Sequence, residues 1–152
     1  MGAIQQALEA FGQDTVTLIQ DNIVSAGENA SGETSREIKW MMPNDNQVIV
    51  SGPSYVFVLE KGRRPGKMPP VTPNITNWIR SKGLSIDKSV ESVGFAISKK
   101  IAEEGTKLFQ QGGRTDIITP ALSDDRIDKL MNQIADISLD LFVGNIEENI
   151  SK

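Results

Sequence analysis

The hydrophobic period changes along this chain, and that change constrains the fold more than any other feature. From Ala3 to about Ala26, apolar residues fall at Ile4, Leu8, Phe11, Val16, Ile19 and Ile23, with Ala7 and Leu18 beside them. Steps of three to five residues suit one long amphipathic helix with a drifting stripe, in which Gly12 costs roughly 1 kcal/mol against alanine. The polar run from Gly27 to Thr34 ends it in a loop. The period then drops to two. Ile38, Trp40 and Met42 alternate with Glu37, Lys39 and Met41, as on a strand with one covered face. Pro43–Asn46 carries turn chemistry and Gln47–Gly52 supplies a partner, so a hairpin is predicted over Ser35–Ser51.

Beyond it, Tyr55–Gly62 fits either a third strand or a helical turn, because so short an apolar run shows no decisive period. Thr72 and Pro73 have the order of a cap and first residue of a short helix ended by Gly83. Ile86, Val90, Val93, Ile97 and Ile101 mark a second amphipathic helix closed by Gly105. Lys107–Thr119 reads as an extended arm or hairpin with Gly112 and Gly113 at its tip. A last long helix is predicted from Pro120 to about Glu148, with Asp124 and Asp125 in its first turn, where the helix dipole favours negative charge. Its covered stripe would be Ile127, Leu130, Met131, Ile134, Ile137 and Leu141. The expected fold is therefore α+β: a small antiparallel sheet packed by long N- and C-terminal helices plus shorter ones, in a single domain spanning 1–152.

Composition narrows the chemistry. Cysteine and histidine are both absent, which removes disulfides, thiolate metal sites and the side chain most used for proton transfer near neutral pH. No cofactor or metal is expected. Adjacent acid pairs at Glu103-Glu104, Asp124-Asp125 and Glu147-Glu148 point about 100° apart on helices and do not converge on one substrate. The chain is read as a non-enzyme. No apolar run reaches the ~18 residues that span a bilayer, and the opening MGAIQQ lacks the pattern of a secretory leader. The net charge of −4 is unevenly spread: Glu60–Lys107 carries +5, residues 1–59 carry −5 and residues 108–152 carry −4.

The basic middle contains one unusual stretch, EKGRRPGKMPP, from Glu60 to Pro70. It is not a P-loop, since three residues rather than four separate Gly62 from Gly66 and Met68 stands where the magnesium-binding hydroxyl belongs. Lys67-Met-Pro-Pro70-Val-Thr-Pro73 matches the loose pattern of polyproline peptides that dock in aromatic grooves. Lys61, Arg63, Arg64 and Lys67, with Arg80 and Lys82 nearby, could neutralise nucleic-acid phosphates, although Tyr55, Phe57 and Trp78 sit in patterns that suggest core rather than stacking platforms. A small binding module or a nucleic-acid-contacting protein using residues 60–73 is thus the alternative reading. A solvated or partner-facing loop accounts for the same cations.

The run Tyr55-Val-Phe-Val-Leu-Glu60-Lys-Gly62-Arg-Arg-Pro65-Gly-Lys67-Met-Pro69-Pro70, followed by Trp78-Ile-Arg-Ser-Lys-Gly83, resembles the central signature of the neck and tail-completion proteins of long-tailed phages. These are also described as head–tail joining or minor tail components. Phe95-Ala-Ile97 through Ile101 to Gly105-Thr106, and the step Pro120-Ala-Leu122, are similar too. The likeness covers roughly residues 48–145, and Lys107–Thr119 is more polar than the corresponding stretch of that family. It implies a structural virion subunit assembled in the host cytoplasm, forming a homo-oligomeric ring between portal and tail. Its partners would be other neck, portal-adaptor and tail proteins, with non-specific contact to packaged DNA and none to membrane. On this reading Glu60, Lys61, Arg63, Arg64, Pro65, Lys67, Met68, Pro69 and Pro70 form the subunit contact, with Tyr55, Gly62 and Trp78 as anchors.

Overall fold

A computed structural model describes residues 2–28, 32–71, 73–83 and 89–150. Thr72 and Ile86, assigned above to a cap and a helix stripe, lie outside the described residues. The order is α1 (Ala3–Ser25), α2 (Glu33–Arg36), β1 (Lys39–Asn44), β2 (Gln47–Ser51), α3 (Val56–Lys61), α4 (Pro73–Ser81), α5 (Val90–Glu104), α6 (Lys107–Gln110) and α7 (Asp124–Ile150). The fold is mostly helical α+β, a two-stranded antiparallel hairpin set among two long helices and shorter ones.

Helix α1 is the spine. Of the expected stripe, Ala7, Leu8, Val16, Ile19 and Ile23 are buried and Ile4 and Phe11 half-buried, and Gly12 and Thr15 join the buried face. The hairpin lies across it at Gly12: a Cβ there would stand 2.6 Å from Val48 Cγ2 and 3.3 Å from the Trp40 ring. The glycine that looked like a cost to the helix is what lets sheet and helix meet. Trp40 pairs with Val50 and Met41 with Ile49, and the register slips between Met41 and Asn44. Pro43 falls in that irregular stretch, where a residue with no N–H to give the ladder is tolerated. The side chain of Asn44 accepts from Asn46 N at 3.0 Å and closes the turn.

The core joins Val16, Ile19 and Ile23 of α1 to Ile38, Val56, Ile117 and Ala121. One open choice is decided here and one expectation changes. The run after Tyr55 takes the helical of its two alternatives and places Val56 in the core. Lys107–Thr119 is no extended arm or hairpin: α6 is one helical turn, and the chain after it is drawn inward so that Ile117 is fully buried. Asn22 Nδ2 donates to Ile117 O at 2.8 Å and holds that segment against α1.

Helix α7 also departs from expectation. It starts at Asp124 rather than Pro120, because residues 117–121 are used in a non-helical turn that plugs the core. It runs antiparallel to α1: Ile117 sits beside Asn22, whereas Arg126 donates to Thr15 Oγ1 at 3.3 Å and lies over the Phe11 ring. Only Leu130, Ile134 and Ile137 of the expected stripe are half-buried, while Ile127, Met131 and Leu141 are exposed. About ten residues past Arg126, α1 has no further turns to offer. Every residue from Ser138 to Ile150 is exposed.

Candidate interaction loop

The basic loop begins where α3 ends. Gly62 terminates the helix at φ 73°, and a Cβ there would lie 2.3 Å from Phe109 N, so only glycine lets the chain pass so close to α6. Beyond it, Arg63 N donates to Thr106 Oγ1 at 2.9 Å and Thr106 N donates to Arg63 O at 2.8 Å. Gly66 N donates to Ala102 O at 2.9 Å. The loop therefore leans on the α5–α6 junction through its backbone. Across its base, Arg63 Nη2 donates to Lys67 O at 3.1 Å.

The residues singled out in the sequence divide into two groups. Lys61, Arg64, Pro65, Lys67, Met68 and Pro70 are exposed and Arg63 is half-buried. Glu60 and Pro69 are turned inward. Glu60 is 2% exposed, so its carboxylate does not belong to the loop's outer surface. One oxygen accepts from Ile118 N at 2.5 Å and Thr119 N at 3.2 Å, and the other accepts from the Thr119 hydroxyl. Its own carbonyl accepts from Arg114 N at 2.8 Å. Glu60 thus ties the start of the loop to the segment that fills the core.

The aromatic anchors need correction as well. Tyr55 and Trp78 are 37% and 43% exposed; the core positions are their neighbours Val56 and Ile79. Phe57 is also exposed. The Tyr55 hydroxyl donates within reach of Glu37 Oε2 at 3.3 Å and Thr34 Oγ1 at 3.4 Å. Partial burial, with the Glu33 and Glu37 charges adding to it, raises the phenol above its ordinary value despite the opposing Thr34 contact. Of the three assigned anchors, Gly62 is the one that fixes the loop's path.

Between α3 and α6 lies an open hollow of about 520 Å³, lined by the apolar side chains of Val58 and Phe109 and by the cations Lys61, Arg63 and Arg64. Lys61 sits 3.8 Å from Glu60. Among the described residues no carboxylate lies within ion-pair distance of Arg63, Arg64 or Lys67. The two acids at the C-terminal end of α5 are occupied elsewhere, Glu103 by Lys99 and Glu104 by Lys100. Thr106, Phe109 and Thr119, which brace the site, escaped sequence reasoning because they meet the loop only through the fold. Gly105 was legible as the stop of α5, but the cap that Thr106 makes for α6 was not.

No group of His, Cys, Asp and Glu side chains able to hold a metal gathers among the described residues, and no helix there is long and apolar enough to cross a membrane. Comparisons with family models, curated proteins and solved structures give no match to this chain.

Proposed function

We propose that this chain is a non-catalytic structural protein of a tailed-phage virion, a ring-forming neck or tail-completion subunit that connects head and portal to tail. The observation that carries the reading is the braced basic loop: its backbone is fixed to α5 and α6 while Arg63, Arg64 and Lys67 have no acidic partner among the described residues. A preorganised loop loses little freedom on docking. Charges left unpaired in the free subunit suit a contact completed only on assembly, and opposite charge elsewhere on the chain supplies the register a closed ring requires.

Replacing Arg63 and Arg64 by glutamate in the assembled particle tests this. The expected result is a folded subunit absent from the head–tail junction and particles lacking joined tails. Normal particles overturn the reading. A second reading, contact of the same cations with DNA phosphates, is favoured instead if the purified protein binds duplex DNA with an affinity that falls steeply with salt and ignores sequence.

A further inference from the structure

Helix α7 carries a second apolar face that its own chain does not cover. Leu130, Ile134 and Ile137 face α1. At 100° per residue, Leu139, Phe142, Ile146 and Ile150 fall on the opposite side of the same helix. They are 60%, 62%, 41% and 79% exposed. Spacings of three and four residues make them one continuous ridge, beginning where α1 runs out. An exposed apolar ridge of this kind marks an interaction surface. Its flank is acidic: from Met131 to Ile150 the helix has four carboxylates and neither lysine nor arginine, and Asp136 and Asp140 border the ridge.

We infer that this projecting half of α7 docks into the α3–α6 hollow of a second copy of the chain. The two surfaces match in kind. The hollow is lined by apolar Val58 and Phe109 together with the cations Arg63 and Arg64. The helix offers an apolar ridge centred on Phe142 with acids along its edge. Pairing two α7 ridges with each other would instead set two stretches against one another that carry carboxylates and no lysine or arginine from Met131 to Ile150, a pairing without the charge complementarity that the hollow supplies. A continuous helix cannot fold back onto its own hollow without a break, and α7 is helical through Ile150. The contact is heterologous, one face on each partner, and so builds rings or filaments rather than closed two-fold dimers. It deepens the assembly reading and rests on its head-to-tail self-association, not on a virion location.

A chain without cysteine makes the test direct. Gln111→Cys places a thiol beside the hollow and Asn145→Cys places one beside the ridge; both sites are exposed and uncharged. The two purified variants, distinguishable by tag, are mixed with a short bismaleimide. The expected product is a mixed dimer, with little product from either variant alone. Adding Arg63→Glu and Arg64→Glu to the first variant should lower the yield by about tenfold, and Asp136→Lys with Asp140→Lys in the second should restore it. Dimers from Asn145→Cys alone would show ridge-to-ridge pairing and overturn the inference. So would the absence of a mixed product from protein whose circular dichroism shows an intact fold. A mixed product from protein that never enters a virion would leave this contact standing and remove the phage assignment.

Discussion

Arg63 and Thr106 hold one another twice, the amide of each donating to an oxygen of the other, 43 residues apart in sequence. The threonine hydroxyl also accepts from Phe109 N at 3.3 Å, so one side chain caps α6 and braces the loop together.

Thr106→Ala should therefore destabilise the protein by about 1–2 kcal/mol, a lost cap and an unsatisfied loop amide. Thr106→Ser should recover most of it. Denaturant midpoints measure the loss, and hydrogen exchange at Arg63 and Phe109 locates it. Equal stability in all three proteins would mean the brace is not used in solution.

Glu60→Ala should cost more, about 3 kcal/mol, because Ile118 N and Thr119 N are left without their acceptor beside a fully buried Ile117. Glu60→Gln keeps one acceptor oxygen and should fall between. Urea titration with a two-state fit decides, and a neutral Glu60→Ala would show that the interior carboxylate does not tie loop to core.

How much of this was open to reading from the chain depended on distance along it. The stripe of α1, the alternation through Ile38, Trp40 and Met42, and the stops at Gly83 and Gly105 are local patterns, and each reappears in the fold. The burial of Glu60 was not readable, since its partners lie 58 and 59 residues away. Nor was the exposure of α7: a period of 3.6 shows that Met131 and Leu141 are apolar and suitably spaced, but not that the neighbouring helix is too short to cover them. Tyr55 and Trp78 erred by a single residue each, because an apolar run does not say which of its members turns inward.

Tyrosine occurs once, at position 55, so its ionisation can be followed by ultraviolet absorbance without overlap from another phenol. Burial and the nearby acids raise its value, so the phenolate should appear at higher pH in the folded protein than in urea. The sign follows: the stability tied to the neutral phenol is complete below the free-tyrosine value and is lost as pH climbs through the raised one. Coincident curves in folded and unfolded protein would refute the contact with Glu37.

Phe142→Glu and Ile146→Glu should leave the melting temperature within about 1 °C, since both residues are exposed and outside the core. Ile23→Ala, in a fully buried position, should lower stability by about 3 kcal/mol. Thermal melts of the three variants under identical conditions provide the comparison. A large loss at Phe142 or Ile146 would place the ridge in a core.

The bare half of α7 has a metric consequence. Thirteen residues of helix form a stiff rod about 20 Å long. Whatever seats on its far end is held at a separation fixed by residue count, and at an azimuth fixed by the same count. Inserting seven helical residues just after Ile137 would lengthen the spacing by about 10 Å while nearly preserving orientation; inserting two would swing the contact around to the opposite side. The length of the rod therefore sets the pitch of any array the protein builds.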